Sequence, residues 1–285
     1  MSLADAVRAH VRDGDCVAIE GFTHLIPTVA GQELIRAGRR DLHVVKMTPD
    51  VVCDQLIGAG CVRKLTFAWG GNAGIGSLHR FRDAVEHGWP GPLELDEHSH
   101  AGLVNRYVAG ASALPFAVLR GYAGTDLARL NPTVAPIVCP FTGETLAAVA
   151  ALNPDVGIVH AQRADRAGNV QLWGIVGAQK EVVLASRRSI VTVEEVVDSL
   201  DRLPGDLLLP SWVVTAVAEV PGGARPSYAA GYYERENDDY RAWNEVSNTR
   251  EGFQAWLNDL LHTSDATTTG CLPYLDCLGG EVGSP

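Results

Sequence analysis

Apolar positions along the chain switch repeatedly between two periods. Leu3, Val7 and Val11 recur at helical spacing behind Ser2 and Asp5, a start resembling a capping box. Asp13-Gly14-Asp15 turns the chain into the apolar run Cys16-Val17-Ala18-Ile19, which reads as a buried strand ending at Gly21-Phe22. Pro27 and Thr28 open a second helix that stops near Gly38. The alternation then repeats, with strands over 42–47, 61–69 and 93–97 and helices over 50–57, 78–87 and 100–111. Such an order predicts an α/β fold, a mostly parallel sheet flanked by helices. Ligands of these sheets bind at the carboxyl ends of strands.

The second half is less regular. Residues 132–141 are Pro-rich and read as irregular, and strands are expected over 156–160, 189–193 and 212–220. Asp165-Arg166-Ala167-Gly168-Asn169 is a turn, since Gly and Asn tolerate left-handed backbone. A helix is expected over 179–185, and another from Asp238 inside a polar, aromatic stretch over 228–262. After Thr263 no pattern is legible. The expected organisation is an α/β domain over 1–225 and a C-terminal helical segment with a tail over 226–285, packed on that domain or on a partner. Tyr228, Tyr232, Tyr233, Tyr240, Trp243, Phe253 and Trp256 fit either outcome.

Composition narrows the function. The chain has 285 residues, 46% of them hydrophobic, enough for a sizeable core. A net charge of -11 repels phosphate backbones and argues against nucleic acid as a partner. No apolar run approaches the ~20 residues of a membrane span, and Met1-Ser2-Leu3-Ala4-Asp5 does not open like a signal peptide, which predicts a cytoplasmic chain with no membrane partner. The six cysteines form no C-x-x-C, so zinc and thioredoxin-type chemistry are disfavoured. Cys271 and Cys277 are close enough in sequence to pair only in an oxidising setting.

Two stretches can carry chemistry. Trp69-Gly70-Gly71-Asn72-Ala73-Gly74-Ile75-Gly76 lies between a strand and a helix, and four glycines in seven positions let backbone amides approach an oxygen closely. It is either an anion cradle or a plain tight turn; it matches neither G-x-G-x-x-G nor a P-loop. Leu93-Glu94-Leu95-Asp96-Glu97-His98-Ser99-His100 ends a strand with carboxylates, and Ser99 or His100 can cap the next helix. Glu97, at the strand's end, suits a base, a nucleophile or a substrate anchor, or else a solvated edge. His98 and His100 lack a third ligand nearby, so no metal site is expected. Gly21 and Phe22 can line the same crevice.

Several of these stretches together resemble the alpha subunit of class I coenzyme A transferases, in the glutaconate-type branch. They are Asp13-Gly14-Asp15-Cys16-Val17 with Gly21-Phe22 and Pro27, the 70–76 loop, and Glu97-His98-Ser99-His100 running to Leu114-Pro115-Phe116. The most specific is His160-Ala161-Gln162-Arg163-Ala164-Asp165-Arg166-Ala167-Gly168-Asn169-Val170, similar to the family's H-x-x-x-A-D-x-x-G-N signature. The likeness covers about residues 2–225. It implies a chain that moves coenzyme A between an acyl-CoA and a carboxylate, with the coenzyme A thioester as substrate and no tightly bound cofactor. It also implies a beta-type partner subunit that carries the nucleophilic glutamate; no S-E-N-G sequence occurs here. The site residues it suggests are Glu97, Gly70, Gly71, Asn72, Gly74, Gly76, Gly21, Phe22 and Ser99, with no metal. A bacterial steroid ring-opening hydrolase shares the fold, and Glu97 matches the catalytic glutamate of its alpha subunit. The alternatives are therefore a hydrolase opening a cyclic ketone on a coenzyme A thioester with Glu97 as base, or a non-catalytic acyl-CoA-binding subunit.

Overall fold

The protein was analysed as a computed structural model, which describes residues 1–72, 74–202 and 204–263. The first half alternates strand and helix as its hydrophobic pattern predicts. Helix α1 (Leu3–His10) leads to β1 (Cys16–Glu20), α2 (Thr28–Arg36), β2 (Leu42–Val45), α3 (Val51–Gly58), β3 (Val62–Phe67), α4 (His79–His87), β4 (Glu94–Glu97) and α5 (His100–Ala111). Capping residues set several of these starts: Ser2, Asp50 and Ser99 each accept a backbone N–H one turn into α1, α3 and α5.

A small antiparallel unit follows, with β5 (Phe116–Leu119), α6 (Asp126–Leu130), β6 (Val134–Val138) and β7 (Thr145–Ala150). The chain then returns to the main sheet through β8 (Val156–Asp165), β9 (Val170–Leu172), α7 (Gln179–Ala185), β10 (Arg188–Val197), β11 (Leu207–Leu209) and β12 (Ala216–Glu219). It ends with α8 (Asn237–Asn248) and α9 (Arg250–His262).

Among the described residues the main sheet has nine strands. Its parallel part runs β4-β3-β2-β1-β8-β10-β12, and β9 and β11 extend it as antiparallel strands from the far end of β8. Strand order therefore reverses at β1, whose neighbours are β2 on one edge and β8 on the other. Helices cover both faces. On one face Leu34, Val52, Leu56, Trp243, Phe253 and Trp256 pack with Val17 and Ile19; on the other Leu103, Tyr107, Val182 and Val183 pack with Ala18 and Val159. α2 and α3 approach so closely that a Cβ on Gly31 would lie 2.4 Å from Val52 Cγ1.

Two segments depart from the sequence reading. Residues 134–138, read as irregular, form strand β6, which pairs only with the central strand β7. An edge strand tolerates Pro136 because its missing N–H faces away from the ladder. The strand expected over 212–220 begins only at Ala216, after a 3₁₀ turn over Ser211–Val213 that leaves Trp212 exposed. The aromatic stretch resolves into two uses. Tyr240, Trp243, Phe253 and Trp256 are buried in the main core, so these four are not available to a partner, while Tyr228, Tyr232 and Tyr233 remain half-buried. Cys53 and Cys61 are buried core residues and Cys16 and Cys139 are half-buried thiols; Cys271 and Cys277 lie outside the described residues.

Trp243 is the hub of the C-terminal helices, edge-on to Phe253 and Trp256 with its indole N–H donated to Asp54 Oδ2 at 3.1 Å. Trp243→Ala is expected to cost about 3–5 kcal/mol, the range of buried aromatic truncations, read as a lowered urea midpoint. A loss below about 1 kcal/mol would contradict an integral role for α8 and α9.

Candidate active site

Carboxyl ends of parallel strands converge beside the point where strand order reverses, the general location of ligands in open α/β sheets. Four loops meet there. After β1 the chain runs Gly21-Phe22-Thr23-His24-Leu25-Ile26, with Thr23 at φ 57 and Leu25 at φ 52. L-residues avoid this left-handed region, so the loop stores strain. His24, between them, pins it: its Nδ1 donates to the Ile175 carbonyl at 2.8 Å and its Nε2 accepts from Ala230 N at 3.0 Å. Burial holds this imidazole below its ordinary pKa, consistent with the neutral form that can do both. Gly21 is required by packing, since a Cβ there would lie 2.4 Å from the Leu25 carbonyl oxygen.

Together the loops enclose a cavity of about 330 Å³. Phe22, Thr23 and Ile26 come from the β1 loop, and Thr48 and Asp50 from the turn after β2. Trp69, Gly71 and Gly74 come from the glycine loop, and His100 from the start of α5. Its size suits a small ligand. Phe22 and Trp69 are 40% and 53% exposed, large apolar surfaces left open at the rim. A larger cleft of about 460 Å³ lies between α6 and strands β6 and β7, but its only charged lining residues, Asp126 and Arg129, pair with each other.

The glycine loop is more committed than its composition suggests. The amides of Gly71, Asn72, Ile75 and Gly76 already donate to backbone carbonyls. Among the described residues this leaves the amides of Gly70 and Gly74 for any ligand, so a broad cradle of free N–H groups is not what the loop provides. Its shape has other causes. Trp69's ring lies over Gly71, where a Cβ would come 2.5 Å from it; Gly70 packs on Pro49; and Gly76 sits against Asn244 of α8. Asn72 is buried and donates its side-chain amide to the Tyr240 carbonyl at 3.0 Å, tying the loop to α8.

The acidic strand end divides by face. Asp96 is buried: Oδ2 accepts from Thr66 Oγ1 at 2.9 Å and faces Arg106 Nη1 at 3.4 Å, while Oδ1 accepts from Asn131 Nδ2 at 2.8 Å. Burial alone would raise its pKa, but His98, Thr66 and Asn131 more than offset this and hold it well below the ordinary range. His98 is locked in the same knot, beside Arg106 and Tyr122. Glu97 points the other way, exposed, and is not among the residues lining the cavity. Ser99 spends its hydroxyl as the cap of α5, accepting from Gly102 N at 3.0 Å. Thus Phe22, Gly71 and Gly74 line the cavity, whereas Gly21, Gly70, Asn72, Gly76 and Ser99 shape its walls. Among the described residues no His, Cys, Asp or Glu cluster could hold a metal.

Beneath the floor lies a charged group that motif reading passed over. Lys46 is fully buried; its Nζ donates to the Gly21 carbonyl at 3.0 Å and lies 3.3 Å from Asp50 Oδ2. Burial works against its charge, but Asp50 and Glu20 outweigh it, leaving the lysine pKa above its ordinary value. Glu20 accepts from Met47 N at 2.7 Å and from Tyr107 Oη at 3.2 Å. Its burial pushes the carboxyl up to about 7. The signature stretch is likewise structural: His160 is buried against Thr192 and Glu194, and Asp165 and Asn169 close the β8–β9 turn.

A carboxyl whose folded pKa exceeds its unfolded one favours the folded state below the unfolded value, and this contribution is lost as pH rises through the folded value. For Glu20 the window runs from 4.5 to about 7; Asp54, also raised by burial to about 7, adds in the same direction. Glu20→Gln is therefore expected to match the parent at pH 4 and to be more stable at pH 8, by on the order of 3 kcal/mol at most, in urea unfolding at the two pH values. A stability difference that does not change with pH would contradict the assignment.

Known proteins resemble this chain throughout. The family profile described as Coenzyme A transferase matches residues 1–220. The chain is 62% identical over 261 residues to the A-type subunit of the 3-oxoadipate CoA-transferase of Pseudomonas knackmussii, covering 92% of this chain and 93% of that one. The crystal structure of glutaconate coenzyme A-transferase from Acidaminococcus fermentans superposes with a TM-score of 0.88 at 30% identity, covering 98% of this chain and 92% of that one. The cholesterol ring-cleaving hydrolase IpdA subunit of Mycobacterium tuberculosis is more distant, 29% identical over 93% of this chain and 94% of that one. On these matches the chain belongs to the coenzyme A transferase family, as an alpha-type member.

Proposed function

We propose that this chain is the A-type half of a two-subunit enzyme that moves coenzyme A between an acyl-CoA and a 3-oxoadipate-type dicarboxylate, with the nucleophilic glutamate on a beta-type partner. The observation that carries this reading is the 62% identity to the A-type subunit of a 3-oxoadipate CoA-transferase, sustained over 92% of the chain. The cavity supports it. It offers apolar walls, a few polar groups and an open rim, but its lining carboxylate, Asp50, is already paired with Lys46 and makes a poor nucleophile.

In this reading the partner's carboxylate attacks the thioester carbonyl and expels the thiolate, forming an acyl anhydride. The thiolate then attacks the glutamyl carbonyl of the anhydride, expels the donor acid as its carboxylate and leaves a glutamyl thioester, which the acceptor carboxylate resolves by the same steps in reverse, receiving the coenzyme A and freeing the glutamate. Gly74 lines the cavity and its amide has no backbone acceptor among the described residues, so it is the loop donor available to developing negative charge on a carbonyl oxygen. Glu97, exposed at the crest of β4, orients the acyl group or the incoming partner rather than bonding to carbon. Among the described residues no helix is long and apolar enough to cross a membrane, which fits chemistry on polar thioesters.

The reading is tested by producing this chain with and without its beta-type partner and assaying transfer from an acyl-CoA to 3-oxoadipate. Activity is expected only from the pair. In the pair, Glu97→Gln is expected to lower kcat/KM by about 10- to 100-fold, the effect of losing one hydrogen bond to a charged group. Hydrolysis in place of transfer by the unmodified pair, abolished more than about 1000-fold in Glu97→Gln, would move the chemistry to Glu97 and replace the transferase with a hydrolase.

A further inference from the structure

We infer that Thr23 is a substrate-contacting residue whose hydroxyl donates to the thioester carbonyl oxygen, and that the strained backbone around it is kept to hold it there. This role deepens the transferase reading above and rests on its acyl-CoA substrate. Thr23 stands on the cavity wall between Phe22, exposed at the rim, and His24, buried behind it. Thr48, His100 and Asp50 line the same cavity but are already engaged: Thr48 Oγ1 lies 3.1 Å from His100 Nε2, and Asp50 is held by Lys46 and the Val52 amide. Among the described residues no hydrogen bond reaches the Thr23 hydroxyl, so its hydrogen is free for a ligand oxygen.

The backbone gives the second, independent reason. Thr23 sits at φ 57, in the left-handed region that a β-branched residue avoids and that glycine enters freely. Such a conformation persists only where the surroundings over-determine it. Here four hydrogen bonds to distant parts of the chain do so. His24 Nδ1 donates to the Ile175 carbonyl at 2.8 Å, and Ala230 N donates to His24 Nε2 at 3.0 Å. Leu25 N donates to the Tyr228 carbonyl at 3.0 Å, and Ile26 N to Ser227 Oγ at 3.2 Å. None of these anchors uses the Thr23 side chain, so a glycine at this position would keep all four with less strain. What glycine lacks is the hydroxyl. A hydroxyl fixed in advance on the cavity wall bonds more strongly to a carbonyl oxygen as that oxygen gains negative charge under attack.

The test uses the complete complex of this chain with its beta-type partner, as the parent and with Thr23→Val, Thr23→Ser or Thr23→Gly. Thr23→Val keeps the shape and removes the hydroxyl, and is expected to lower kcat/KM for transfer about 10- to 100-fold. Thr23→Ser keeps the hydroxyl and is expected to stay within about threefold of the parent. Thr23→Gly is expected to lose as much activity as Thr23→Val while raising the urea midpoint, a combination that a merely structural residue does not give. Parental kcat/KM in Thr23→Val, or a lowered midpoint in Thr23→Gly, would overturn the inference while leaving the transferase reading intact. If the parent complex transfers no coenzyme A at all, the transferase reading fails, and calorimetry with acetyl-CoA and with coenzyme A decides the inference separately. Acetyl-CoA binding weakened about 5- to 10-fold in Thr23→Val, with coenzyme A binding unchanged, supports it. Acetyl-CoA binding that is unchanged, or weakened only as much as coenzyme A binding, overturns it.

Discussion

Strand β1 is hydrogen-bonded in parallel along both edges, to β2 through Cys16–Ala18 and to β8 through Val17–Glu20. The rest of the molecule follows from that placement. Parallel neighbours must be reached by crossovers, so helices cover both faces and every strand of the parallel run ends on the same rim. Because β2 lies on one side of β1 and β8 on the other, the loops leaving β1 and β2 part company with the half of the sheet built later. A crevice opens beside that divide, and its lining comes from loops after β1, β2 and β3 and from the start of α5.

Holding four loops at one rim costs free energy, and the anchors are buried polar groups. Lys46 joins the end of β1, through the Gly21 carbonyl, to Asp50 at the amino terminus of α3. A buried ammonium is tolerated only when it is paired and hydrogen-bonded, as here. Asp96 and His98 do the same for the end of β4, drawing Thr66, Arg106, Asn131 and Tyr122 into one knot. The consequence for function is that the carboxylates nearest the cavity are already occupied. An acidic chain of net charge -11 can thus present a nearly neutral crevice to an anionic substrate. In the proposed reading the nucleophile comes from a partner subunit.

Much of the fold was legible because β1 to α5 follow the rule of apolar strands and capped amphipathic helices; helix His100–Ala111 was readable to the residue from Ser99 and the following periodicity. Strand β6 was hidden because Pro136 reads as a breaker unless the strand is known to lie on an edge. The site was legible in part. Phe22, Gly71 and Gly74 follow strand ends and do line the cavity. Thr48 and Lys46 were missed because neither belongs to a motif; the available signal was positional, the residues just past β2, beside the end of β1. The glycine loop stayed open between cradle and tight turn for a different reason. Composition tells that amides can be exposed, but not that Pro49, Gly76 and Asn72 carbonyls have already taken them. Nor can alternation along a strand distinguish the buried face of Asp96 from the open face of Glu97 without knowing on which side α5 packs.

The central claim is that this chain shapes the crevice while another subunit supplies the nucleophile. The most direct measurement is to incubate the two-subunit complex with an acyl-CoA, trap the glutamyl thioester with hydroxylamine or borohydride, and locate the modified residue by peptide mass spectrometry. The account predicts one modified glutamate, on the partner subunit, and none on this chain. Modification of Glu97, or of any carboxylate in this chain, or no trapped adduct on either subunit during active transfer, would contradict it.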